Sequence, residues 1–91
     1  MIHCYVIFGD LARRFRLERN LTQKDVSELH GGSPQHTTIS RWEKGQALPR
    51  HFTDVERLSE VLSCTWAQRQ RLYKAYERAV KCRRGLEDQA A

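Results

Sequence analysis

The run His30-Gly31-Gly32-Ser33-Pro34 constrains this chain more than any other feature, because it separates two short stretches of helically spaced apolar residues. Two consecutive glycines end a helix and permit positive φ, while Ser-Pro reads as an N-cap followed by a first helical position. Before the turn, Asn20-Leu21 is a break and Thr22 offers a side-chain oxygen as a cap. Leu21 and Val26 are spaced for a hydrophobic staple, and Val26 and Leu29 supply the inward face of this second helix. After the turn, a third helix is expected from about 34 to 44, with Ile39 and Trp42 inward at i, i+3 and Gly45 as its terminator.

Helical periodicity governs the flanks too. Phe8, Leu11, Ala12 and Phe15 follow i, i+3, i+4, i+7 and predict a first helix to about Arg19, with Arg13, Arg14 and Glu18 on its other face. Gln46 to Pro49 reads as a loop. Thr53-Asp54-Val55-Glu56 has the form of a capping box, followed by a fourth helix with Val55, Leu58, Val61 and Leu62 inward. Thr65-Trp66-Ala67-Gln68 repeats that pattern and opens a fifth helix through about Cys82, with Trp66, Leu72, Tyr76, Ala79 and Val80 as its apolar stripe. No β pattern extends beyond the opening six residues. The expected fold is all-α: a compact five-helix domain at 8–82, a short apolar N-terminal arm at 1–7, and a flexible polar tail at 83–91. The arm is open to three fates: pairing with its twin in a dimer, docking on its own core, or partial disorder.

Ninety-one residues fit one small domain and leave little room for an elaborate enclosed active site. Apolar residues at 40% and charged residues at 30% exclude a disordered or low-complexity chain. Sixteen Lys and Arg against eleven Asp and Glu leave +5, a balance that attracts polyanions. Three cysteines, Cys4, Cys64 and Cys82, are an odd count without a short repeated spacing, so neither a disulfide framework nor a zinc knuckle is expected. Cys64 occupies an apolar slot and reads as a small core residue. His3, His30 and His36 form no recognised ligand set, so no metal and no cofactor are expected. The apolar start is far shorter than a membrane span and lacks the marks of a secretory leader. A cytoplasmic protein without a membrane partner is the expectation. No arrangement of nucleophile and base, and no Gly-rich phosphate loop, points to an enzyme.

Two helices joined by a tight turn allow the second to lie in the DNA major groove while the first crosses the backbone. The residue types fit that task. Ser27 is small where the helices must approach, Ile39 and Trp42 anchor the second helix from behind, and His36, Thr37, Ser40, Arg41 and Lys44 can bond to base edges or phosphates. The run Leu21 to Ser27 (LTQKDVS), the block Thr38 to Gly45 (TISRWEKG) and the following Pro49 resemble the Cro/repressor-type helix-turn-helix family, also called XRE-like. Its members are five-helix DNA-binding domains of phage repressors and bacterial regulators, and the likeness spans about Phe8 to Tyr76.

The resemblance implies roles residue by residue. Gln23 matches the glutamine that bonds to a phosphate and braces the third helix. His36, Thr37, Ser40 and Arg41 fall where relatives read bases; Thr22, Lys44 and Arg50 fall where relatives meet the sugar-phosphate backbone. Arg16 and Glu43 match a pair bridging helices one and three, a scaffold role. One departure stands out: from Gln23 to Ile39 the chain is about two residues longer than the family pattern, and the insertion lies in His30 to Gln35.

A sequence-specific regulator of transcription, a repressor acting on double-stranded DNA as a homodimer, follows as the expectation. Leu72, Tyr73, Tyr76 and Val80 are the apolar patch available for pairing. Two rivals stay open: a protein-interaction module on the same scaffold, antitoxin-like and gripping an unidentified protein, and the N-terminal DNA-binding module of a longer regulator. Glu43 is the single acidic residue between Leu29 and Leu48, which leans toward DNA. The basic run Arg69, Arg71, Lys74, Arg78, Lys81, Arg83 and Arg84 reads as a solvated helix face; alternatively it lines a partner or adds nonspecific DNA affinity.

Overall fold

The computed structural model describes residues 3–90, with side chains from 4 to 85. A single 3-10 turn (His3–Tyr5) leads into five α-helices: α1 (Val6–Glu18), α2 (Gln23–Leu29), α3 (His36–Glu43), α4 (Phe52–Val61) and α5 (Trp66–Ala90). The expected apolar stripes meet in one core, where Phe8, Val26, Val55 and Leu72 are sealed from solvent and Ile39, Leu58 and Leu62 are nearly so. α1 packs against both α3 and α5, α2 against α3, and α4 against α5.

Of the three fates left open for the arm at 1–7, its described residues take docking on the chain's own core, and the first helix starts earlier than expected. Val6 and Ile7 belong to α1, and the 3-10 turn docks on the chain's own core through the buried Tyr5. Met1 and Ile2 lie outside the described residues. The cysteine reading is corrected: Cys4 and Cys82 form a disulfide across 78 residues, their Cα atoms 5.9 Å apart. Linear spacing hid this pair because docking of the 3-10 turn against α5 is what brings the two together. Cys64 is buried and free, and burial pushes its thiol up from the ordinary range.

Several boundaries and faces also move. α3 begins at His36 and not near Pro34, because Gln35 is its N-cap and the Pro34 carbonyl accepts from Ser27 Oγ at 2.8 Å. That bond ties the longer turn back onto α2. α4 starts at Phe52, since the Asp54 carboxylate accepts from the His51 backbone N–H at 3.2 Å and takes over the capping expected of Thr53 and Glu56. The Thr65–Gln68 box forms reciprocally, at 3.0 and 3.2 Å. α5 does not stop near Cys82 but continues through the expected tail to Ala90. Leu29 and Trp66, expected inward, are 57% and 76% exposed. Each lies at the end of its helix, where the neighbouring His30 and Cys64 are the buried residues, at 3% and 8% exposure.

Leu72 and Tyr76 are core residues, with Tyr73 and Val80 packed beside them. Of the apolar patch expected to pair two copies, Leu72 and Tyr76 are therefore taken up by the core, while Tyr73 and Val80 are partly buried. Phe52 packs over the patch, with its ring 4.9 Å from that of Tyr73 and 6.4 Å from that of Tyr76.

Candidate nucleic-acid interface

The position of α3 follows from three contacts. Ile39 and Trp42 enter the core at 2% and 6% exposure and settle which face looks inward. At the C-terminal end α1 comes so close that a Cβ on Gly9 would overlap the Trp42 carbonyl oxygen and lie 2.8 Å from that of Glu43. Only glycine permits this approach. A glycine inside the apolar pattern of α1 was its sequence signal, and the sequence reading passed over it. α3 then ends in a Schellman turn: Gly45 at φ +73° donates to the Trp42 carbonyl at 3.2 Å, and Gln46 donates to that of Arg41 at 2.9 Å.

The third contact is electrostatic. Arg16 Nε donates to Glu43 Oε2 at 2.7 Å and Arg16 Nη2 to Oε1 at 2.9 Å, a two-pronged bond between α1 and α3. The side chains are 11% and 4% accessible. Gln23 Nε2 adds a bond to the same Oε1 at 3.1 Å, and Arg16 Nη1 donates to the Leu21 carbonyl at 2.8 Å. Glu43 thus joins α1, α2 and α3 at one point. The hydrogen bond to Glu43 raises the Arg16 guanidinium above its ordinary value, against the opposing effect of burial.

With the inward face so occupied, His36, Thr37, Arg41 and Lys44 are exposed and Ser40 is half-buried. Glu43, the acid of this helix, is turned away from that surface. Thr22 caps α2, its Oγ1 accepting from the Asp25 N–H at 3.0 Å while Asp25 Oδ2 accepts from the Thr22 N–H at 2.9 Å. The Thr22 hydroxyl proton stays available to a further acceptor. Its backbone hydrogen bond holds the Asp25 carboxyl below its usual range. Gln23 is half-buried, and the amide hydrogen that bonds Glu43 is one of two it can offer.

Arg50 is exposed and stands on the 47–50 loop, which Tyr76 Oη anchors by donating to the Pro49 carbonyl at 2.8 Å. A groove of about 810 Å³ opens between α3, this loop and the 30–35 turn, and Arg41 and Arg50 both line it. So does Arg57 of α4, a cation that no sequence motif marked. Its Nη2 donates to the His30 carbonyl at 2.8 Å and fastens α4 to the end of α2. His30 itself is 3% exposed, and neither ring nitrogen has a hydrogen-bond partner among the described residues. Burial, aided by the charge of Arg57 and opposed by that of Asp54, lowers its pKa. Among the described residues no group of three or more His, Cys, Asp or Glu is arranged to hold a metal ion. No helix among them is long and apolar enough to cross a membrane.

Comparison with curated proteins and with solved structures found no match. A family model described as a helix-turn-helix domain matches residues 7–72. That match runs from the first turn of α1 into α5 and takes in the whole arrangement that holds α3 outward. With a match over most of its length and the Cro/repressor-type motifs at its centre, the chain belongs to the helix-turn-helix domain family.

Proposed function

We propose that the chain is a sequence-specific, double-stranded-DNA-binding regulator of transcription, acting as a repressor, with α3 in the major groove. His36, Thr37, Ser40 and Arg41 read base edges, and Thr22, Gln23, Lys44 and Arg50 hold phosphates and set the register. One observation carries this reading. The outward face of α3 offers hydroxyl, imidazole and cationic groups, while its single carboxylate is folded into the ion pair with Arg16. The phosphates of a duplex accept hydrogen bonds and repel carboxylates, and its major groove offers further acceptors to hydroxyl and cationic groups, so a helix built this way suits it.

As part of the same proposal, two copies bind a pseudo-palindromic site with half-sites about 34 Å apart. This part rests on the likeness to Cro/repressor-type proteins. Selection of bound oligonucleotides from a random duplex pool tests the whole reading. Enrichment of a short motif with inverted symmetry is expected. A pool that stays random, with no duplex retained in dilute salt, would refute DNA binding; an enriched motif without symmetry would remove the homodimer alone.

A further inference from the structure

The proposed DNA face leaves two sequence features unused: the apolar residues just before Phe8 and the basic face of α5. The fold brings them together. Val6 and Ile7, from the first turn of α1, line a groove of about 410 Å³ between α1 and α5, together with Arg14 and with Arg71, Lys74 and Arg78 of α5. Ile7 leaves 65% of its surface open, and all four cations are exposed. Among the described residues the groove's one acid is Asp10, 3.9 Å from Arg14 with both side chains well solvated, a pair too exposed to neutralise the site. None of the groove's residues belongs to the proposed DNA face.

We propose that this groove docks an acidic amphipathic helix of a partner protein. Its apolar residues at i, i+4 and i+7 lie over Val6 and Ile7, and its carboxylates meet Arg14, Arg71, Lys74 and Arg78. The combination of surfaces selects this occupant. A nucleic-acid backbone would satisfy the cations but leave Ile7 against phosphate, with no gain from burying it. A membrane surface supplies both chemistries but is flat on this scale, while the site is recessed between two helices. The Cys4–Cys82 disulfide ties the turn before Val6 to α5 beyond Arg78, so the walls are joined before any partner arrives. Complementary charge would speed encounter and make binding weaken with salt.

The test uses the full chain and a labelled synthetic peptide with leucines at i, i+4 and i+7 and glutamates between them. A peptide of the same composition in scrambled order serves as its control. The ordered peptide should bind at least about tenfold tighter than the scramble. Ile7→Asp and Arg71→Glu should each weaken it by at least about tenfold. Arg13→Glu makes the same charge change on α1 outside the groove and should alter binding by less than about twofold. Thermal melts of each variant verify folding, which the exposure of these positions should preserve. Equal binding of the scramble, indifference to Ile7→Asp, or equal effects of Arg13→Glu and Arg71→Glu would overturn the proposal. So would groove variants that ignore the peptide but abolish binding to random duplex or to phosphatidylserine vesicles, results that assign the site to nucleic acid or to membrane. The proposal stands apart from the reading of α3, whose own duplex selection can fail or succeed without it.

Discussion

Replacing Glu43 with glutamine removes one charge from the point where three helices meet, and it should loosen all three. The shape of the side chain is almost retained, so packing changes little. An amide oxygen, however, replaces a carboxylate that accepts from Arg16 Nε, Arg16 Nη2 and Gln23 Nε2, and its NH2 turns a donor toward a donor. The Arg16 side chain is 11% accessible, so water cannot fully replace the lost partner. Breaking a buried pair from one side costs about 3–5 kcal/mol. We expect the lower end, about 3 kcal/mol, because Arg16 Nη1 keeps its bond to the Leu21 carbonyl. A domain of this size is stable by about 5–14 kcal/mol, so the loss is a large share of the total. In a thermal melt it amounts to a fall of about 12–24 °C.

Urea titration followed by tryptophan fluorescence is a suitable assay, since Trp42 is buried on α3 and reports the core while Trp66 is already exposed. The midpoint should fall with the slope unchanged. The double variant Arg16→Met with Glu43→Leu should recover most of the loss, because it removes both charges together. A loss below about 1 kcal/mol for Glu43→Gln is what a solvated surface pair would give, and it would refute the junction argument.

Three further expectations follow from the same structure. His30 is buried with its pKa lowered, so the unfolded chain binds a proton that the folded chain resists; stability should fall as pH drops below about 6.5, and His30→Leu should flatten that fall and be neutral or stabilising at pH 7. Denaturant melts at several pH values check this, and an unchanged pH slope in His30→Leu would refute it. Arg41→Ala should cost about 1–3 kcal/mol of duplex affinity and relax preference at one position, whereas Lys44→Ala should weaken all sequences alike and shrink the salt slope by about one. Anisotropy titrations across salt decide it, and identical behaviour of the two variants would end the division of roles. Reduction of the Cys4–Cys82 disulfide, or Cys4→Ser with Cys82→Ser, should lower stability by about 4–5 kcal/mol, as expected for a closed loop of 78 residues. A change below about 1 kcal/mol in urea melts would contradict the chain-entropy argument.

What could be read from residues alone was set by local rules. The apolar spacing of Phe8, Leu11, Ala12 and Phe15, the Thr22 and Thr65 caps and the two-glycine turn specify helices and breaks through contacts within a few residues, and these survived folding. The LTQ opening and the TISRWEKG block marked the family because they carry the cap of α2 and the anchoring residues of α3 together. Failures came where an element's end was decided by a distant partner. Pro34 stayed outside α3 because its carbonyl is held by Ser27, and Leu29 and Trp66 fell outside the core because the neighbouring His30 and Cys64 take the buried positions at those helix ends.

The sequence by itself determined an all-α chain with a helix-turn-helix and an outward third helix rich in hydroxyl and basic groups. Tertiary structure alone decided that Cys4 meets Cys82, that Gly9 lets α1 press against the end of α3, and that Arg57 joins Arg41 and Arg50 around one groove. It also decided that Leu72 and Tyr76 are taken into the core. The physical reason is range: periodicity and caps act over three or four residues, while a close approach, a cross-link or a shared groove depends on how whole helices pack, and that information is spread over the chain.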